Sequence, residues 1–263
     1  MLHISPYITA YFLVMAFVLG AVMASFLGCL GWRMCNGESV MKGRSHCDSC
    51  GQVLKGRDLI PIISYLMRGG KCAYCGAPIP KTSLIGEILL AILFVISILR
   101  WDVTPLLGLH LIFISILFLV SLTDIYEQII PDGCLLVAIV VRVLYYFIIE
   151  GFEKGSLLYL IGSGFSVALP LLLLTLLLER LWKKEAMGGG DIKLIFVTGL
   201  YLGWEKNLLM MLVSCIVGII IGMIQIRKED EESYFPFGPS IAIATVFCMF
   251  WGDGIIGWYL SLF

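Results

Sequence analysis

The chain has 263 residues, 60% of them hydrophobic and 14% charged, with a formal net charge of -1. Ordinary soluble domains carry about 25% charge, so the composition excludes a water-soluble globule, and much of the apolar surface must face lipid. The near-neutral balance also provides no global basic field of the kind that attracts nucleic acid.

Continuous apolar runs occupy about 8–31, 84–100, 105–123, 133–149, 156–178, 206–226 and 238–262. A spanning helix needs about 20 residues. An eighth run, 191–203, is shorter and needs help from its flanks, from bilayer thinning or from a protein-lined cavity. The runs do not alternate, which argues against strands. The expected fold class is therefore an all-α polytopic membrane protein of about eight transmembrane helices, with a small cytoplasmic insert between the first two. The expected organisation is helix 1 at 1–32, the insert at 33–83 and a membrane domain at 84–263.

The first run holds the small residues "AVMAS" (21–25), as a cleavable signal peptide does. No Lys or Arg precedes it, and Arg33 follows it. That polarity is wrong for a signal peptide, so the run reads as a retained helix. The insert that follows is too small for a large core and needs a staple. "CDSC" (47–50) and "CAYC" (72–75) supply one. Two C-x2-C knuckles bring Cys47, Cys50, Cys72 and Cys75 to one tetrahedral Zn(II), and a closed four-sulfur site is structural. Gly51 and Gly76 follow the knuckles, where the backbone must turn around the metal. Disulfides are the alternative, and a reducing cytoplasm disfavours them. Cys29, Cys35, Cys134, Cys215 and Cys248 lack paired spacing and read mostly as small packed apolar residues.

Further along, Glu87 lies about one turn inside the second helix, facing either a cavity or the insert. His110 reads as a packing residue. "VSLTDIYEQIIPDG" (120–133) closes the third helix, with Asp124 its last polar residue before an inner loop. Glu127 reads as solvated, and Asp132, after Pro131, as the N-cap of the fourth helix. Arg142, near mid-helix, must find an acid, a carbonyl or water. "EAMGGGDIKL" (185–194) places Gly188, Gly189 and Gly190 directly before Asp191, at the mouth of the short apolar run.

Orientation follows from the basic residues. With the N-terminus outside, 14 of the 18 Lys and Arg fall on inner segments, and only Arg100, Lys154 and Lys206 on outer ones. The positive-inside rule then places both termini outside, with Asp124 and Asp191 near the inner face at similar depth. Two carboxylates in one site can share a proton. One then activates water while the other polarises a carbonyl, which is aspartic-protease chemistry without a metal. The glycines would allow close backbone approach to an extended substrate, or strained positive φ values. The plainer alternative stays open on pattern alone: Asp191 as a helix cap and Asp124 as an interfacial acid.

Taken together, the motifs resemble the prepilin peptidase family, bifunctional leader peptidases and N-methyltransferases. "GGGDIKL" (188–194) resembles the family's GxGD signature and "DIYEQIIPD" (124–132) its companion. "GRSHCDSCGQVL" (43–54), "DLIPIISYL" (58–66) and "CAYCGAPI" (72–79) are similar to its cytoplasmic ribbon. "SLIGEIL" (83–89), "FPFGPSIA" (235–242) and "ASFLGCLGWR" (24–33) resemble further segments, so the likeness spans nearly the whole chain. One position departs: Gly28 stands where the family usually has Asn.

The resemblance implies Asp124 and Asp191 as the catalytic dyad, with Gly188, Gly189, Gly190 and Lys193 in an active-site loop. It implies Cys47, Cys50, Cys72 and Cys75 as structural zinc ligands. It implies cleavage of the basic leader of prepilin-like proteins after a Gly, at the cytoplasmic face of a bacterial cytoplasmic membrane. Methylation of the new N-terminus by S-adenosylmethionine would follow. The implied partners are prepilin-like substrates and the bilayer, with no nucleic acid. No glycine-rich nucleotide loop follows a strand, so the donor's place is not legible. A proton-coupled transporter and a zinc-bearing membrane scaffold without chemistry are the competing readings.

Overall fold

A computed structural model of the chain describes residues 5–39, 43–151, 154–183, 187–226 and 236–262. Of the inner basic residues, Lys42, Lys184, Arg227 and Lys228 lie outside the described residues, as do Glu185, Ala186 and Phe235 from the quoted motifs. Among the described residues there is no strand, and only isolated bridges join His46 to Val53 and Lys71 to Pro78. Among the described residues seven helices are long and apolar enough to cross a membrane. The chain divides into two compact units, Met1–Leu122 and Thr123–Phe263.

The first unit holds α1 (Pro6–Cys35), the insert with its short α2 (Ile63–Met67), α3 (Lys81–Trp101) and most of α4 (Pro105–Glu127). A proline in the first turn opens α1, and Asn36 closes it, its side-chain amide donating to the Trp32 carbonyl at 2.8 Å. Small residues Ala16, Gly20, Ala21 and Ala24 bury the face of α1 that meets α3. Helices in lipid associate through such close backbone contact, because no hydrophobic drive separates protein from tails. Ala16 packs with Phe94, Ile98 and Leu107 in one buried cluster. His110 packs against Trp101 with ring centroids 4.1 Å apart and planes tilted by 56°, the packing contact expected of it.

The second unit holds the last turn of α4, α5 (Asp132–Tyr145) extended by a π turn (Tyr146–Glu150), α6 (Lys154–Trp182), α7 (Gly189–Leu202), α8 (Trp204–Ile226) and α9 (Gly238–Leu260). The short apolar run is α7. Its 14 residues span about 21 Å, less than the roughly 30 Å hydrocarbon core. It need not meet lipid along its length, because α5, α6, α8 and α9 all pack against it. Leu194, Ile195, Val197, Leu200 and Leu202 are buried there. At Gly199 the approach is so close that a Cβ would strike the Ser163 carbonyl oxygen and fall 2.8 Å from Gly164 Cα. Thr198 donates to Asn207 Oδ1 at 3.0 Å, pairing two polar groups that the fold buries.

Arg142 finds the partners its sequence position demanded. Its Nε donates to the Leu200 carbonyl at 2.9 Å, and its guanidinium pairs with Glu150 at 3.0 Å. Glu150 lies eight residues away, brought near by the helix and its terminal π turn.

Candidate active site

Asp124 stands in the last turn of α4, with only 5% of its surface exposed. The helix runs on to Glu127, and Gln128 turns the chain away with φ 55. The Asp124 Oδ2 accepts a hydrogen bond from the backbone N–H of Gly238 at 2.8 Å. Gly238 is the first residue of α9, with Pro239 behind it. An N-terminal amide there has no partner within its own helix, and the helix dipole favours an acceptor at that end. A Cβ at Gly238 would lie 2.7 Å from Asp124 Oδ2, a distance real Cβ atoms do not adopt, so the contact requires glycine.

Asp191 is the third residue of α7 and half-buried. Gly188 is the N-cap, and the Asp191 N–H donates back to its carbonyl at 3.1 Å. The strained glycines expected from sequence are not found: Gly188 has φ -60 and ψ 132, and neither Gly189 nor Gly190 has positive φ. What these positions need is room. A Cβ at Gly188 would fall 3.1 Å from Asp191 Oδ2, and one at Gly190 3.1 Å from Ile130 Cβ, whereas Gly189 is open. Only Gly188 precedes the helix; Gly189, Gly190 and Lys193 belong to it.

The carboxylates of Asp124 and Asp191 lie within electrostatic reach of each other. α7, which carries Asp191 in its first turn, packs against α9, whose first residue Gly238 holds Asp124.

Asp132 differs from the expected N-cap. Pro131 is the cap residue, Asp132 is the first helical residue, and its carboxylate makes no capping bond. It pairs instead with Lys193 Nζ at 2.7 Å, across the exposed entry of α5 and α7. Asp132 and Lys193 also line a mostly apolar cavity of about 540 Å³ formed by α5, α6 and α7.

In the insert, the four sulfur atoms of Cys47, Cys50, Cys72 and Cys75 all lie within 4.8 Å of one another, and Cys47 and Cys75 Sγ are 3.9 Å apart. A tetrahedron with Zn–S bonds of about 2.3 Å has sulfur edges of about 3.8 Å, so the donor set fits one zinc ion. Each knuckle closes on itself. Gly51 N–H donates to Cys47 O at 2.8 Å, and Gly76 N–H to Cys72 O at 3.0 Å, with φ 68 and 72 at the two glycines. Backbone N–H groups of Cys75 and Tyr74 pull the Cys72 thiol down to about 7, whereas burial and the neighbouring sulfur atoms push that of Cys75 up to about 11, so the crowded thiols do not ionise together on their own.

Glu87 is buried and faces the insert, accepting the Ile62 N–H at 2.7 Å. Ile62 adopts φ 62, a left-handed conformation costly for a β-branched residue, and the Glu87 bond holds it there.

Comparison with known proteins sets these features in a family. Residues 18–101 match the "Bacterial Peptidase A24 N-terminal domain", and residues 111–223 match the "Type IV leader peptidase family". The chain is 33% identical to the prepilin leader peptidase/N-methyltransferase of Pseudomonas aeruginosa, over 82% of this chain and 74% of that protein. The chain belongs to the prepilin leader peptidase/N-methyltransferase family. The family member of Aeromonas salmonicida is 32% identical over 85% of this chain and 76% of its own length. That of Bacillus subtilis is 29% identical over 94% and 97%. No solved structure matches the chain. The first prepilin peptidase segment covers most of α1, the insert and α3; the second contains Asp124 and Asp191 and ends before Gly238. The seven long apolar helices make this family member a multi-pass membrane protein.

Sequence reasoning quoted the turn that contains Gly238 but gave it no role. Ile130, Glu150 and the Gly238 amide were not foreseen as partners. Each contact joins residues distant in the chain or beyond a helix end, where no periodicity signals them.

Proposed function

We propose that this chain is a membrane aspartic endopeptidase that cleaves the basic leader of type IV prepilin-like proteins at the cytoplasmic membrane face. Asp124 and Asp191 are the dyad. The observation that supports this most is their arrangement: a buried acid held by the Gly238 amide, and a second acid opening α7 within its electrostatic reach. In the singly protonated pair, the ionised carboxylate takes a proton from water as the oxygen attacks the scissile carbonyl. The protonated partner donates to the developing oxyanion. Collapse of the tetrahedral intermediate passes a proton to the leaving amine, and the pair returns to its starting state.

The relatives' names also carry N-methyltransferase. We assign this chain the same second reaction, methylation of the amine that cleavage exposes, with S-adenosylmethionine supplying the methyl group. Among the described residues no strand leads into a glycine-rich nucleotide loop, so no residue is assigned to the donor. Zn(II) in the four-cysteine site fixes the insert's fold. The termini lie outside, and the insert and dyad lie on the cytoplasmic side.

Purified protein in vesicles, given a synthetic prepilin-like peptide and methyl-labelled S-adenosylmethionine, tests both reactions. The expected products are one cut after a Gly, read by mass, and label on the new N-terminus. An intact peptide under conditions where the protein is folded and zinc-loaded contradicts the peptidase reading. Cleavage without label removes only the methylation.

A further inference from the structure

The segment Leu59–Met67 in the insert is not explained by zinc binding or by the dyad. It is a loop pinned at both ends on one acid. Asp58 forms an ion pair with Arg68, accepts the Lys55 N–H at 2.9 Å, and accepts the Tyr74 hydroxyl at 3.0 Å. Arg68 holds the Asp58 carboxyl down at about 2, so the clasp is charged at any neutral pH.

Between the pinned ends, the loop turns its apolar side chains outward. Leu59 and Ile60 are exposed, and along α2 Ile63, Leu66 and Met67 are 55%, 63% and 82% exposed. These three stand at i, i+3 and i+4, which is one face of a helical turn. Tyr65 lies on the other side, its hydroxyl donating to the Ile79 carbonyl at 3.4 Å. Single exposed apolar residues are ordinary on any surface, but a contiguous patch marks an interaction face.

The depth of the loop identifies what covers it. Ile62 N–H bonds to Glu87, six residues into α3 from Lys81. Six residues rise about 9 Å along a helix. The 21 residues of α3 extend about 32 Å, close to the roughly 30 Å of a hydrocarbon core. The helix has little length to spare above the membrane, so a loop tied at Glu87 lies at or below the head-group level. In the first turns of α3 itself, Ile85, Ile88 and Leu89 are also exposed apolar side chains, as expected of a helix that meets lipid. Lys55, Arg57, Lys71 and Lys81 flank the patch in sequence, a composition that suits anionic head groups.

We propose that Leu59–Met67 is an interfacial loop that buries Ile63, Leu66 and Met67 in the cytoplasmic leaflet beside α3, anchoring the zinc insert to the bilayer. The clasp at Asp58 closes the loop, and Glu87 fixes how deep it reaches. The occupant of this face is lipid, not a second protein. This proposal does not depend on the peptidase chemistry.

The test places a photo-reactive benzophenone amino acid at Met67 in the full chain, reconstituted in phosphatidylethanolamine–phosphatidylglycerol vesicles. Gln52, exposed beside the first zinc knuckle, is the reference position. After illumination, the mass of the adduct reports what the side chain touched. A lipid adduct at position 67, several-fold above that at 52, is expected. The same probe at Leu66 guards against a local effect of one substitution, and zinc content checks that the insert is folded. Lipid adducts no more frequent at 66 and 67 than at 52 would overturn the proposal, whether the product is a protein cross-link or unmodified chain.

Discussion

Asp124 and Gly238 are 114 positions apart in sequence and joined by one hydrogen bond of 2.8 Å. That bond ties the orientation of the buried acid to the entry of α9. A methyl group at Gly238 has no space, so Gly238→Ala must push the carboxylate or the helix end aside. Misplacing a reacting group by about 1 Å costs on the order of 100-fold in rate. Gly238→Ala should therefore lower cleavage by about that factor with normal membrane insertion, while Gly189→Ala, with nothing within 4 Å of its added carbon, should cleave near the wild-type rate. Single-turnover cleavage of both variants checks this. Equal rates would remove Gly238 from the site. Gly190→Val belongs to the same scale. A Cβ there falls 3.1 Å from Ile130 Cβ, a less severe approach than the 2.7 Å at Gly238, so its loss should be smaller than that of Gly238→Ala in the same assay.

At the scale of elements, the insert and the membrane helices have different sources of stability. The insert has no strand among its described residues, and its order rests on two knuckles, the Asp58 clasp and the bond to Glu87. Structural zinc contributes about 10 kcal/mol of folding free energy in peptide models. We expect one zinc per chain by elemental analysis. Cys72→Ser should abolish that zinc and raise hydrogen exchange across 43–79, while the helices insert and some cleavage remains. Exchange confined to the Cys72 knuckle would contradict the shared staple. The long helices and the metal-binding pairs were legible for physical reasons. The long apolar runs of α1, α3, α4, α5, α6, α8 and α9 have no alternative to spanning lipid, and the C-x2-C pairs have few uses besides a metal. The short α7 was legible as a run but not as a helix wrapped by four others, because what covers a helix is tertiary information. The role of Asp132 was misread for a similar reason: its partner Lys193 lies 61 positions away, and the proline before it suggested a cap.

For the whole molecule, the distribution of Lys and Arg remains the guide to orientation. A phosphatase active only outside the membrane, fused after Phe263, should be active, and one fused after Lys71 should be silent. The reverse pattern would invert the placement of the dyad. The transporter and scaffold readings raised by the sequence find no support in the comparisons, which give prepilin leader peptidases throughout. In the proposed mechanism the reaction depends on the pair of acids, Asp124 and Asp191. The most direct measurement is cleavage of a prepilin-like peptide by the full chain in vesicles, comparing wild type with Asp124→Asn, Asp191→Asn and Asp132→Asn. Residues that act as one unit lose activity almost completely when either is removed. Asp124→Asn and Asp191→Asn should each abolish cleavage, and Asp132→Asn, which breaks only an exposed ion pair, should retain most of it. Robust cleavage by either Asp124→Asn or Asp191→Asn would contradict the dyad.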